Sequence, residues 1–555
     1  MSSLCTPTVF LPGWGPELLI EVNNKNERKH RVVQDLNYLM EDKHKSAKFR
    51  RAIYGRVVFL FLLIAVQVAI LVLFTLKLRP YIEFYFGGSL LLSMIFVIYI
   101  ANAKGRVEFK MSWVLLLLFS PIVGIAIYII FHTSLGNKEI KKRLEYIEEK
   151  TLEFSPSQEE TNQVINQYPE AKNICTYLRN RGLAAPYTNT YVKYFKCGEE
   201  FFPDFCQTLR SAKKFIFLEF FIIDIDESWV EICNILEEKA KEGVEVRLLY
   251  DGFGSTTVAT KKYQKYLQAK GINTHVFMPL IPFFSVHLNN RDHRKIAVID
   301  GRVAYTGGLN LTNEYFNVGK NRFNYWKDNG LRVEGPAIKN YIQLFLQTWN
   351  LQTKGDDDYE KYLDIPFDNK EKDGIVVPYG DDMYNKEDIA EDVYSFMMNN
   401  CKRYLHITTP YLIIDHALED DLIFAAKRGV DVKVILPSVP DHYITFCVGK
   451  TFIKTLVDNG VHVYLYNRGF IHAKTFITDD IMATVGSANL DYRSLFHHYE
   501  TNTLLYENSA IKDVENDFNT IIEEDCVEIK KEDYKKLPLK MRFLGRLFRI
   551  LSPIL

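Results

Sequence analysis

HRKIAVID occupies positions 293 to 300 and HAKTFITD positions 472 to 479. Each places a histidine, a lysine two residues on, and an aspartate five residues after the lysine. Either stretch alone reads as a buried strand that happens to carry a histidine, but the pair needs an explanation. On a strand, residues two apart share a face, so His293 and Lys295 point together, as do His472 and Lys474. Asp300 and Asp479 stand at odd offsets from both partners and at a turn. Asp300-Gly301 is a good hairpin signal and Asp479-Asp480 a weaker one, so the aspartates are expected to fix these turns by hydrogen bonding.

The surroundings repeat as well. FIFLEFFIIDIDESWVEICNILEEKAKEGVEVRLLYDG (215 to 252) is matched by YLHITTPYLIIDHALEDDLIFAAKRGVDVKVILPSVPD (404 to 441), so strand, helix, Gly-Val turn and strand recur in order. LQAKGINTHVF (267 to 277) and LVDNGVHVYLY (456 to 466) add a helix end, a glycine turn and a strand. Strands alternating with helices imply βαβ units and a largely parallel sheet. Two copies in the same order imply duplicated α/β halves forming one pseudo-two-fold unit.

Before these halves lie three apolar runs: 57 to 76, 84 to 100 and 113 to 131. The first is long enough to cross a bilayer and lies too far along the chain for a cleaved signal peptide; three in succession argue for membrane. Lys43, Lys45, Lys48, Arg50, Arg51 and Arg56 precede the first run, while only Lys77 and Arg79 separate it from the second, which places the N-terminus in the cytoplasm. Lys104, Arg106 and Lys110 return inside, and Lys138, Lys141, Lys142 and Arg143 follow the third run at once. Pro121 and Gly124 interrupt that run. The pattern therefore predicts two crossings, a re-entrant or interfacial third segment, and a large cytoplasmic domain on a multi-pass cell-membrane protein.

The expected division is a cytoplasmic extension (1–56), a membrane-anchoring region (57–131), a linker (132–185), a first half (186–352), a polar join (353–375), a second half (376–530) and a basic amphipathic tail (531–555). In 555 residues, 68 basic side chains balance 69 acidic ones, so no global basic field exists to draw in nucleic acid. The eight cysteines include no CxxC pair and fit reduced thiols rather than a zinc site or disulfide framework.

The candidate catalytic set is His293, Lys295 and Asp300 with His472, Lys474 and Asp479. Each stretch is followed by a small-residue turn that ends in asparagine: GGLN with Asn310 and GSAN with Asn489. This is equipment for a phosphoryl group. Lysine supplies a point charge, asparagine an amide donor, and a neutral imidazole can attack phosphorus or move a proton. Two sets facing each other complete an enzyme, one histidine forming a covalent phospho-histidine while the other protonates the leaving alcohol. The two lysines offer charge neutralisation without metal, and no cofactor is expected. Each imidazole needs a carboxylate on its second nitrogen. Asp328 and Glu500, each at the start of a β-rich run downstream of a motif, are the candidates, with Asp328 expected beside His293.

These two HxKxxxxD stretches and their asparagine turns resemble the phospholipase D superfamily. Together with ITTPYLIID, GFIHAK and the third apolar run, they look like its bacterial cardiolipin synthase family over about 57 to 555. The resemblance implies a phosphatidyltransferase that joins two phosphatidylglycerol molecules into cardiolipin and glycerol through a phosphatidyl-histidine. It also implies membrane phospholipids and the bilayer as partners. It favours His293 as nucleophile and His472 as acid/base, an order the local residues do not decide. The alternative is a hydrolase, or a transferase using another head group. A nuclease gives no reason for the apolar runs, and a scaffold without catalysis predicts eroded motifs, whereas both are intact. The sequence leaves the oligomeric state open.

Four further features carry expectations. Asp292, where the family pattern has a neutral polar residue, would raise the basicity of His293 if it faced the site. His497-His498 lacks a spaced ligand set and reads as ordinary. Tyr411 either lines a lipid entrance or packs. In the tail, Phe543, Leu544, Leu547, Phe548 and Leu551 form one helical stripe among Lys540, Arg542, Arg546 and Arg549, expected to lie on anionic lipid rather than simply dock on the domain.

Overall fold

The computed structural model describes residues 65–132, 136–279, 290–367, 373–382, 385 and 387–554. The expected extension 1–56, the start of the first apolar run and part of the polar join lie outside the described residues.

The first half contributes β1 (Tyr191–Phe195), β2 (Phe215–Phe220), β3 (Glu245–Asp251), β4 (Ile272–Phe277), β5 (Lys295–Ile299), β6 (Val303–Gly307), the short β7 (Trp326–Lys327) and β8 (Gly330–Glu334). The second contributes β9 (Ile375–Asp381), β10 (Tyr404–Thr408), β11 (Leu412–Ile413), β12 (Asp431–Pro437), β13 (His462–Tyr466), β14 (Phe470–Ile471), β15 (Thr475–Thr478), β16 (Met482–Gly486), β17 (Leu490–Asp491), β18 (Glu500–Tyr506) and β19 (Cys526–Ile529). One sheet runs β1-β8-β6-β5-β2-β3-β4. The other runs β9-β18-β16-β15-β10-β12-β13, the same order strand for strand, with β19 added at its edge.

The sheets are mixed, which corrects the expectation of largely parallel ones. Within the two large sheets, only β2 with β3 and β3 with β4, and their counterparts β10 with β12 and β12 with β13, are parallel. Helices link those strands. The chain then returns antiparallel through β5 and β15, because each histidine stretch enters a tight hairpin rather than another helix. Asp300 and Gly301 have φ of 52° and 64°, and Asp479 and Asp480 of 59° and 62°. Both turns therefore have the left-handed central pair that matches strand twist. A Cβ at Gly301 would lie 1.9 Å from Ile365 Cδ1, so a side chain there would have to displace that tip.

The halves share a core. The helix Ile338–Thr353 of the first half packs on β5 and on β9, and the helix Ala510–Asp525 of the second packs on β15 and on β1. Tyr341 and Phe345 join Ile477, Val485 and Phe518 in one apolar cluster. Each such buried side chain contributes roughly 1.5–3 kcal/mol of transfer free energy, so the halves do not separate without unfolding.

Among the described residues, one helix, Arg79–Asn102, is long and apolar enough to cross a membrane; a shorter apolar helix spans Ala65–Leu76. The third apolar run is two helices, Val107–Phe119 and Pro121–His132, broken at Ser120. At 13 and 12 residues, each is shorter than the ~20 that a crossing requires. They fold against each other so closely that a Cβ on Gly124 would lie 3.0 Å from Leu116 O, which accounts for the glycine. Arg106, just ahead of this pair, ties it to the second half: its guanidinium bonds Asp388, Glu391 and Asp415 and lies 4.4 Å from the Phe496 ring. Asp415 also caps the helix His416–Lys427. The apolar helices and the second half are therefore tied through a few charges, of which those of Glu391 and Asp415 are buried.

The C-terminal helix Leu539–Arg549 docks on the helix Tyr443–Asp458, with Gly545 facing inward because a Cβ there would lie 2.3 Å from Cys447 O. Phe548 packs on the core of the second half. Leu539, Phe543, Leu547 and Ile550 remain exposed, so the expected stripe divides into an inward and an outward row.

Candidate active site

Two short parallel pairings assemble the site. The backbone N–H of His472, following β14, donates to Lys327 O at 2.7 Å, where β14 lies alongside β7. The N–H of His293 donates to Tyr499 O at 2.9 Å, and Tyr499 N–H donates to Arg291 O. Each histidine stretch thus lies beside the residue that precedes the other half's carboxylate. As a result His293 Nδ1 lies 2.9 Å from Glu500 Oε2, and His472 Nδ1 lies 2.7 Å from Asp328 Oδ2. This corrects the expected pairing of His293 with Asp328. The carboxylates are exchanged between halves, because strand addition across the interface brings each histidine to the other half's edge.

All of these side chains are buried: His293 and His472 are each 6 % exposed, and Lys295, Lys474, Asp328 and Glu500 no more than 2 %. Lys295 Nζ donates to His293 O at 2.5 Å, and Lys474 Nζ contacts His472 O and, at 2.7 Å, His472 Nδ1. Burial, opposed by Glu500, pushes the His293 imidazole down to about 3. Burial and then Lys474 push His472 down to about 4. Both rings are therefore neutral in the free protein at neutral pH. Burial, opposed by Glu500 and reinforced by repulsion from Lys474, pushes Lys295 down to about 7; burial takes Lys474 to about 8. Glu500 is held well below the usual carboxylate range despite its burial, through His293. Two buried ammonium groups close enough to repel each other make a seat for an anion.

A pH profile follows from these shifts. Lowered lysine values mean that charge is lost as pH rises, so kcat/KM for an anionic phosphodiester is expected to fall above about pH 7 to 8. The acid limb belongs to the histidine that must stay neutral to attack phosphorus; for His293 it should lie near pH 3. Bound phosphate favours charged lysines, so the alkaline limb of kcat should lie higher than that of kcat/KM. A kcat/KM that rises through pH 9 would contradict this assignment.

Asn310 is fully buried; its Oδ1 accepts from Ile222 N at 2.9 Å, and its Nδ2 makes no hydrogen bond. Asn489 Oδ1 is likewise unbonded. The first is a donor and the second an acceptor, and neither finds its hydrogen-bond partner among the described residues. Asp300 and Asp479 are elsewhere, at the far ends of β5 and β15. Asp300 accepts from the N–H groups of Lys213, Lys214 and Phe215, and Asp479 from those of Lys402, Arg403 and Tyr404. They pin each hairpin to the start of β2 or β10 and do not touch the histidines.

Asp292 does not serve His293 either. Its Oδ1 accepts from Arg294 N at 3.2 Å, and burial, then repulsion from Glu219, raise its pKa well above the usual range. Glu500 is the carboxylate that contacts the ring. The reading of the chain missed Ser487 and Ser494, which both donate to Glu500 at 2.5 Å. The second residue of GSAN was the available signal for Ser487. Its counterpart Gly308 has no room for a side chain, as a Cβ would lie 2.0 Å from Asp328 Oδ1.

His498 was also missed. Its ring centroid lies 5.5 Å from that of His293 and its Nδ1 3.5 Å from Glu500 Oε1, while His497 packs on Phe109 instead. His293, His498 and Glu500 bring potential metal-ligand atoms within 4.8 Å of one another. Lys295, lodged on His293 O, disfavours a cation in this place.

The family described as cardiolipin synthase, PLD-like domain, matches residues 205–349 and 395–522. A Staphylococcus aureus cardiolipin synthase is 33 % identical over 484 residues, covering 85 % of this chain and 96 % of its own. A Staphylococcus epidermidis cardiolipin synthase 2 is 32 % identical over 483 residues, covering 84 % and 97 %. An uncharacterized Streptococcus mutans protein is 38 % identical over 463 residues, covering 83 % and 99 %. Among solved structures, a phosphatidylserine synthase from Haemophilus influenzae superposes with a TM-score of 0.52 at 16 % identity, covering 66 % of this chain and 95 % of that one, a likeness of fold.

Proposed function

Because the chain belongs to the cardiolipin synthase family of phospholipase D-like proteins, we propose that it is a phosphatidyltransferase that joins two phosphatidylglycerol molecules into cardiolipin and glycerol. The observation that carries this reading is the exchanged pairing, in which each neutral imidazole is held on Nδ1 by a carboxylate of the other half. A proton on Nδ1 leaves the Nε2 lone pair free for chemistry.

In the proposed reaction, His293 Nε2 attacks the phosphorus of the first lipid. The phosphorus–oxygen bond to glycerol breaks, and His472 gives its proton to the departing alkoxide. The negative charge of the bound phosphodiester favours that proton on His472 beforehand. A phosphatidyl-histidine remains. A hydroxyl of the second lipid's glycerol then gives its proton to His472 and attacks phosphorus, and cardiolipin leaves with His293 restored. Lys295, Lys474 and the free amide of Asn310 neutralise and hold the phosphoryl oxygens, with Asn489 beside them. Asp328 and Glu500 orient the rings; Asp300 and Asp479 hold the hairpins that present them. The order of the two histidines rests on the family resemblance.

The proposed setting is the cell membrane, with crossings at 57–76 and 84–100, the broken third run dipping into one leaflet, and the folded halves in the cytoplasm. Support comes from the distribution of basic residues and from the length of Arg79–Asn102. A cysteine placed at the exposed Asp513 should react with a membrane-impermeant reagent only in inverted vesicles; reaction in intact cells would refute this orientation.

Incubation of the purified chain with labelled phosphatidylglycerol should release one glycerol for each cardiolipin formed. Phosphatidic acid in place of cardiolipin would make it a hydrolase.

A further inference from the structure

Beside the catalytic centre, the second half carries a groove. It runs along the helix Tyr443–Asp458, is open to solvent, and is lined by Tyr411, Pro437, Asp441, Phe446, Lys450 and Phe470, among others. Its walls are largely apolar, but it contains the ammonium group of Lys450, a residue 7 % exposed. That group lies 4.4 Å from the Phe446 ring, and among the described residues no carboxylate pairs with it. Asp441, the acid in the same groove, is already engaged by the Tyr411 hydroxyl at 2.9 Å and by Arg322 at 3.0 Å. A buried cation in an apolar groove without a counter-ion lacks the partner that its burial requires.

The groove ends at the chemistry. Phe470 lines it, and the Phe470 ring lies 6.2 Å from His472 and 5.0 Å from Trp326, which itself lies 5.2 Å from His472. At the start of the same helix, Tyr443 and Ile444 are 47 % and 39 % exposed. On the helix that docks against it, Leu539, Phe543, Leu547 and Ile550 face outward. The corresponding helix of the first half, Lys261–Ala269, has 9 residues against 16.

We propose that this groove seats the second, accepting lipid, an anionic glycerophospholipid whose phosphate pairs with Lys450, whose acyl chains lie toward the outward apolar row, and whose head-group hydroxyl points to His472. This rests on the transferase reading above. The donor's phosphate belongs between Lys295 and Lys474, so an acceptor carrying its own phosphodiester needs another cation, and Lys450 supplies it. Burial pushes Lys450 down to about 8, a cost that an adjacent phosphate offsets.

Phosphatidylglycerol carrying a photoactivatable group at the start of one acyl chain is incorporated into neutral vesicles with the full chain and irradiated, and adducts are mapped. Adducts are expected within 410–413 and 441–453. Lys450→Met, which keeps the apolar volume, should cut their yield and raise KM for phosphatidylglycerol, each about tenfold, the value of one lost charged contact. Lys450→Arg should restore most of both, and thermal unfolding confirms that the variants are folded. Unchanged labelling and KM in Lys450→Met, or equal labelling by a phosphatidylcholine with the same chain, would overturn the groove assignment. Labelling of the groove by a protein that makes phosphatidic acid and no cardiolipin would keep the lipid site and remove its role as acceptor seat, so the two readings fail separately.

Discussion

Replacing His293 with alanine should lower cardiolipin formation by at least about 10⁴-fold, the scale on which removal of a covalent nucleophile acts. His472→Ala should be equally inactive toward phosphatidylglycerol, because glyceroxide is a poor leaving group without a proton. The variants separate when the leaving group needs no proton. With a phosphatidyl ester of p-nitrophenol, His472→Ala should release a burst of one p-nitrophenol per protein and retain the phosphatidyl group on His293. His293→Ala should show no burst. Mass spectrometry of acid-sensitive, base-stable adducts locates the link; an adduct on His472 would reverse the two roles while leaving the paired-histidine chemistry in place.

The second large effect tests the exchange of carboxylates. Glu500→Gln keeps the size of the side chain and one of the two oxygens that accept from Ser487 and Ser494, but removes the charge that opposes burial at His293. The imidazole becomes still harder to charge and loses its fixed tautomer, and turnover is expected to fall about 10²- to 10⁴-fold, as when the orienting acid of a catalytic histidine is neutralised. The defect should resemble that of His293→Ala: a slow or missing burst with the activated ester. Asp328→Asn should resemble His472→Ala, with the burst preserved and its hydrolysis slow. If Glu500→Gln kept the burst and Asp328→Asn lost it, pairing within each half would be the working arrangement after all.

The chain spells out much of this in local terms. Alternation places His293 with Lys295 and His472 with Lys474 on common faces, and a period of two is visible in any window of eight residues. Asp300 and Asp479 are readable as turn residues because a hairpin needs left-handed backbone at its centre. The equal order of the two sheets follows from the repeat of strand, helix and glycine turn. The antiparallel return of β5 and β15 is not legible locally, because helices between the earlier strands suggest a parallel sheet throughout. Asp292 was misjudged because adjacency in sequence says nothing of side-chain direction beyond a strand's end.

By itself, then, the sequence determined the duplicated halves, the paired histidines and lysines, and the chemistry they suit, since each depends on residues within a few positions of one another. The tertiary structure alone decided which carboxylate serves which ring: Glu500 is 207 residues from His293, and Asp328 is 144 from His472. It also decided that His498 borders the site while His497 does not, and that the second half has a groove in which, among the described residues, no carboxylate pairs with Lys450. These are consequences of how two surfaces meet. A strand's pattern encodes which face it buries, whereas the partner across that face is set by packing the whole core, to which side chains throughout both halves contribute.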